Sequence, residues 1–162
     1  MKVVQINAVC GVGSTGRICK EINEMLLQNG HEGIILYGNG SSDYVHSKRV
    51  SSGIFVKAHG FLSRILGKNA AYSPIATERI LTFLKNYRPD VVHLHNLHGN
   101  YVSLKPLLRY LAKHDIPTVL TLHDCWFFTG KCTHYTAEGC YKWQTGCRDC
   151  PKLKADIPSW FF

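Results

Sequence analysis

No run of eighteen or more apolar residues occurs anywhere in the chain, so no membrane-spanning helix is predicted. No basic, apolar leader opens it either. Met1–Ile6 (Met-Lys-Val-Val-Gln-Ile) reads as a short buried strand that meets Asn7 and a group of glycines at once, which predicts a cytoplasmic protein. No internal repeat and no low-complexity segment interrupts the sequence. With 162 residues, 45% hydrophobic and 19% charged, what remains is an ordinary globular domain large enough to bury a core.

Acidic side chains are scarce, and unevenly so. Residues 43–114 carry eleven Lys/Arg against Asp43, Glu78 and Asp90, which accounts for the whole net charge of +8. That excess suits an anionic partner, whether nucleic acid, an anionic membrane surface or a phosphorylated substrate; it equally suits a solvated face. Cysteine is plentiful, at seven, but the count is odd and five crowd into residues 125–150. A disulfide-bonded secreted module would favour an even count and a leader. The cluster reads instead as a metal knuckle or as reduced thiols.

The order of elements points to α/β. A strand over Lys2–Ile6 gives way to a glycine loop, and a helix then runs to about Asn29, with Ile18, Ile22, Met25 and Leu26 on one face and Gly30 as its stop. A second strand covers His31–Tyr37, and residues 41–53 read as a surface loop. Ile54–Lys68 sets Ile54, Phe55, Ala58, Phe61, Leu62, Ile65 and Leu66 on one helical stripe, with Lys57, Arg64 and Lys68 outside it. Ser73-Pro74 reads as a capping serine and first-turn proline that open a helix ending before Pro89. A strand at Asp90–His95, a helix near Leu104–Lys113 and a strand at Pro117–Leu122 follow. Val/Ile-rich strands alternating with helices predict a Rossmann-like parallel sheet covered by helices on both faces. From Asp124 the pattern turns irregular. The reading is therefore a Rossmann-like domain over residues 1–124 and a Cys-rich extension of it over 125–162. The apolar end Pro158-Ser159-Trp160-Phe161-Phe162 leads us to expect a chain cut before its next structural unit.

Ligands of open parallel sheets bind beyond the carboxyl ends of the strands, where several candidates fall. Gly11, Gly13 and Gly16 follow the first strand and match G-x-G-x-x-G, but no Gly-Lys-Ser/Thr follows them. The acidic residue expected after the second strand is replaced by Tyr37-Gly38-Asn39. Close backbone approach and a helix N-terminus favour a phosphate there, and a bare tight turn remains the alternative. His93, His95, Asn96 and His98 follow the Asp90 strand, while His123 and Asp124 end the Pro117 strand. His123 is the catalytic candidate, with Asp124 placed to orient an imidazole or a loop. Cys132, Cys140, Cys147 and Cys150 are spaced C-x7-C-x6-C-x2-C, which suits a structural tetrahedral zinc that would steady a segment with no core. His134 or Cys125 could substitute, and disulfides or free thiols are the alternatives. The Ile54–Lys68 stripe with its basic flanks lies on a membrane surface, clamps a lipid-linked acceptor, or packs into the core with ordinary surface lysines.

Three segments carry a resemblance to a known family. MKVVQINAVCGVGSTG (1–16), PDVVHLHNLHG (89–99) and TLHDCWFFTGKC (121–132) resemble the N-terminal domain of glycosyltransferase family 4, above all bacterial members that build capsular or exopolysaccharide. The resemblance implies a GT-B architecture of two Rossmann-like domains facing a cleft. It implies a retaining hexosyltransferase acting on a nucleotide-sugar donor and a saccharide or lipid-linked acceptor, peripheral on the inner face of the membrane. Carried over, Gly13, Ser14, Thr15 and Gly16 would lie under the donor phosphates, with His95 and Asn96, matched less closely, beside them as binding residues. His123 and Asp124 would be at the catalytic site. Such enzymes stabilise the departing diphosphate with helix termini and basic side chains, so no catalytic metal is expected; the sequence also lacks Asp-x-Asp, the metal–diphosphate motif of the other major transferase fold. The paired-glutamate donor motif is missing too. The chain alone is expected to be inactive, the acceptor-side half of the enzyme. The competing reading is a zinc-stabilised module whose basic face binds nucleic acid or another anion. A nucleotide-dependent oxidoreductase is disfavoured by the missing acidic residue.

Overall fold

A computed structural model describes residues 1–160. Phe161 and Phe162, the last two residues of the apolar end noted above, lie outside the described residues. Five strands form one parallel sheet: β1 (Lys2–Asn7), β2 (Glu32–Tyr37), β3 (Ser47–Arg49), β4 (Val91–Leu94) and β5 (Thr118–Leu120), in the order β3-β2-β1-β4-β5. The helices are α1 (Gly13–Gln28), α2 (Gly53–Leu66), α3 (Pro74–Tyr87), α4 (Leu104–Lys113) and a single turn, α5 (Trp126–Thr129). The α/β reading and the parallel sheet hold.

Register decides what each face carries. Gln5 of β1 lies beside Ile35 of β2 and His93 of β4, while Val4 lies beside Ile34 and Val92. Strands alternate sides with period two. Val4, Ile6, Leu36, Val92 and Leu94 therefore share one face, where they meet Ile80 and Leu84 of α3 and Leu107 and Leu111 of α4 in the main apolar core. The other face carries Gln5, Asn7, Ile35, Tyr37 and His93 and is covered by α1 through Cys19 and Asn23. Helices thus cover both sides, but only one interface is purely apolar.

Three local expectations change. Residues 41–53 are not all loop, because Ser47–Arg49 pairs with Ile35–Tyr37 as an edge strand. A Ser-Lys-Arg strand gives no apolar signal, and charged residues are what a sheet edge tolerates. β5, one strand of a sheet expected to be covered on both faces, has Thr118, Val119 and Leu120 exposed, since it forms the opposite edge. Ser73 occupies the N-cap position of α3 ahead of Pro74, yet its hydroxyl does not cap the helix. It donates instead to the Asn100 carbonyl at 3.2 Å and pairs with His59 Nδ1, inside a buried network in which the Ser73 amide donates to Ser103 Oγ at 3.0 Å.

That network turns α2 over. Its buried side chains are His59 and Ser63, so the apolar stripe points outward: Ile54 is 79% exposed, Phe61 58% and Leu66 53%. Lys57 and Arg64, seven residues apart and so on one side of the helix, are exposed along its border. Among the described residues, no helix is long and apolar enough to cross a membrane.

Candidate active site at the carboxyl edge of the sheet

Strand order reverses between β1 and β4, and the loops that leave β1, β4 and β5 meet at that crevice. After β1 the chain turns through Gly11, at φ 73°, and Gly13, at φ 64°, conformations that favour glycine. Gly16 is buried in the first turn of α1, where a Cβ would stand 3.1 Å from Val9 Cγ2 and 3.2 Å from the Gly11 nitrogen. The Gly11 amide donates to the Gly16 carbonyl at 3.0 Å, so the loop closes on itself. No side chain caps α1 and its first turn holds no acidic residue. The amides of Gly13, Ser14 and Thr15 therefore begin the helix without a carboxylate to neutralise its positive end.

Asn7 fastens this loop to the next. Its Nδ2 donates to the Val9 carbonyl at 2.9 Å and to Thr15 Oγ1 at 3.4 Å, while its Oδ1 accepts from the Asn96 amide at 3.2 Å. Asn96 in turn takes the Tyr101 hydroxyl on its carbonyl at 2.9 Å. The glycine loop and the β4 exit are held in fixed relation by one buried amide side chain.

A chain of hydrogen bonds sets the histidine tautomers. Gln5 Nε2 donates to the Cys19 carbonyl at 2.9 Å, which turns Gln5 Oε1 toward His95. That oxygen only accepts, so the proton of His95 lies on Nε2, 3.1 Å away. Burial, with the His93 and His123 rings adding smaller effects, lowers the His95 pKa to about 3, so the ring is neutral. Its Nδ1 must then accept, and His123 Nε2–H donates to it at 3.0 Å. The tautomer of His123 that donates through Nε2 leaves Nδ1 as its acceptor, on a half-buried ring beyond the end of β5. The His93 pKa is lowered as well, by burial first and by His123 second, and His93 Nε2 pairs with Thr121 Oγ1 at 2.8 Å.

Asp124 does not orient His123. One carboxylate oxygen pairs with His98 Nε2 at 2.7 Å, and the other accepts the Trp126 amide at 2.9 Å, starting α5. It takes both roles open to it, but the imidazole it holds is that of His98. His98, Asp124, His123, Trp126 and Phe127 line one small hollow at the ends of β4 and β5. A larger, open groove lies between β3 and α3, walled by Lys48, Arg79 and Phe83, and it contains none of the candidate residues.

The structure thus joins His95 to His123 and Asn96 to the glycine loop, and bonds Asp124 to His98 and Trp126 instead of to His123. Sequence reasoning missed Gln5 and Asn7. The signal was present: polar side chains at alternate positions of an otherwise apolar strand, matched by His93 and His95 on and just after β4. Cys132, Cys140, Cys147 and Cys150 lie apart from the histidines, around a hollow of their own in the extension.

Comparison with known proteins agrees with this geometry. The chain is 27% identical over 170 aligned residues to the putative colanic acid biosynthesis glycosyl transferase WcaC of Escherichia coli (strain K12). The match covers 94% of this chain and 40% of that protein, so the chain spans about two fifths of its relative's length. The sequence profile of Glycosyltransferase Family 4 matches residues 15–150, from the first turn of α1, through the histidines, to the last of the clustered cysteines. That profile, which covers most of the Rossmann-like domain and the cysteine-rich extension, identifies the chain as a member of glycosyltransferase family 4.

Proposed function

We propose that residues 1–160 form the acceptor-side half of a retaining, GT-B hexosyltransferase that moves a sugar from a nucleotide-sugar to a saccharide or lipid-linked acceptor in polysaccharide biosynthesis. The observation that carries this reading is the relay Gln5–His95–His123, which spends His123 Nε2 on His95 and turns Nδ1 to the sheet's carboxyl edge. His123 Nδ1 accepts a hydroxyl of the transferred sugar and holds it in the cleft. The uncapped start of α1 faces the phosphate side, where backbone N–H groups offset charge developing on the departing diphosphate. Donor specificity belongs to the remaining length of the protein. The test is transfer of labelled sugar from a panel of nucleotide-sugars to a lipid extract by the full-length protein. His123→Ala is expected to lower kcat at least about a hundredfold, and Gln5→Leu by less. Unchanged kcat in His123→Ala sinks the assignment, as does transfer by residues 1–162 alone.

The outward stripe of α2 favours a lipid-linked acceptor over a free saccharide. Apolar side chains at Ile54, Phe61 and Leu66 bordered by Lys57 and Arg64 make a surface for an anionic bilayer. Vesicles containing phosphatidylglycerol are expected to float the protein and phosphatidylcholine vesicles to float it poorly. Ile54→Ser with Phe61→Ser should abolish flotation, and failure of the unaltered protein to float removes this part of the reading.

A further inference from the structure

The extension after α5 has no apolar core. None of residues 133–158 is buried, and its regular elements are two 3₁₀ turns, Tyr135–Glu138 and Lys142–Gln144, neither with a buried residue. Aromatic edges supply some contact: Trp143 lies 5.0 Å from Phe128 and 5.4 Å from Tyr135, ring centre to ring centre. Buried Lys131 donates through Nζ to the carbonyls of Leu153 and Ile157. A segment this thin is stable when something crosslinks it.

Four cysteines converge inside it. Cys132, Cys140, Cys147 and Cys150, separated by up to eighteen residues in sequence, line a single space of about 20 Å³. That is room for about one water-sized sphere, too little for an organic ligand. All four are free thiols and all are partly shielded from solvent. Asp149 adopts a left-handed φ of 48° between Cys147 and Cys150, which folds the C-x2-C pair into a tight turn. Lys142, Arg148 and Lys152 line the same space, and Lys142 Nζ is fixed by the carbonyls of Arg148 and Asp149 at 3.0 and 3.1 Å. A dication bound by four thiolates carries a net charge of −2, and these cations offset it. Among the described residues the thiols are not gathered into a closed ligand shell, so occupancy requires the segments that carry them to close inward.

We propose that Cys132, Cys140, Cys147 and Cys150 bind one structural zinc ion as a tetrathiolate site, which clasps residues 131–158 against α5. Zinc takes four thiolates in a closed tetrahedron at Zn–S distances of about 2.3 Å, and such a site fixes small coreless segments. Binding replaces four S–H bonds with four S–Zn bonds and releases the thiol protons to solvent, with no change of oxidation state. No coordination position is left for substrate, so the ion is structural. It would hold the platform from which α5 and Asp124 face the cleft.

The chain purified without chelator or a metal-affinity tag, under reducing conditions, is expected to contain about one zinc per chain by elemental mass spectrometry. Zinc should fall to a small fraction in Cys147→Ser and Cys150→Ser, and stay unchanged in Cys125→Ser and Cys10→Ser. Should a ligand variant fail to fold, cobalt exchanged into the unaltered chain decides the matter. Intense thiolate-to-cobalt charge-transfer bands with tetrahedral d–d bands support the site, and an octahedral, weakly absorbing spectrum overturns it. Native mass four hydrogens light, meaning two disulfides, overturns it. So do four thiols that react freely after incubation with zinc chloride, or zinc that survives Cys147→Ser in a folded chain.

Discussion

His59 and His95 sit in the fold as neutral bases, and acid should find them. Both are buried, at 0% and 3% exposed. Burial lowers the His59 pKa to about 4, and burial with neighbouring imidazoles lowers that of His95 to about 3. Each recovers an ordinary value near 6.5 when the chain unfolds. Because the folded-state pKa values are depressed, the unfolded chain binds more protons between about pH 6.5 and 3, and stability falls as pH drops through that window. From pH 7 to pH 5 each histidine withdraws about 2 kcal/mol, so the pair removes about 4 kcal/mol. Domains hold only about 5–15 kcal/mol in all. Urea unfolding at pH 7, 6 and 5 reads this directly, with chelator present throughout so that thiol–metal chemistry contributes nothing. His59→Asn should be less stable at pH 7, yet lose about 2 kcal/mol less than the unaltered chain between pH 7 and 5. If the two stability curves run parallel to within about 0.5 kcal/mol, the buried-base argument is wrong.

Two further outcomes follow from close contacts. A Cβ on Gly38 would lie 2.1 Å from Cγ of fully buried Tyr101, so Gly38→Ala is expected to cost about 3 kcal/mol in urea unfolding, and much less in a Tyr101→Ala background. Gln5→Leu strands the buried His95 Nε2–H and should cost about 2 kcal/mol by the same measurement; a neutral result would mean that the relay is not fixed from Gln5.

The strand–helix alternation, the parallel sheet and the position of the histidines beyond β4 and β5 were legible because apolar periodicity reports burial directly. β3 was not, since Ser-Lys-Arg pairs through backbone alone. The outward face of α2 was not, because its inner face is polar: His59 is held by Ser73, a partner supplied from the next helix, and periodicity cannot say which side of a helix turns inward. The sequence motifs located His123, but the groups that set its tautomer come from β1 and β4, and only the register brings Gln5 alongside His93. Asp124 was legible as a site residue while its role was not. The dipeptide places it next to His123, but its bonds go to His98 and to the Trp126 amide.

The unequal faces of the sheet bear on how such a domain diversifies. Val4, Ile6, Leu36, Val92 and Leu94 are packed on the side away from α1, whereas Gln5, Asn7 and His93 project toward it from the same strands. Every second position along β1 and β4 therefore answers to a different selection. Substitutions at odd-numbered positions of β1 can retune the chemistry at the crevice while the even-numbered ones keep the domain folded. Libraries that vary the crevice have a natural template in that alternation.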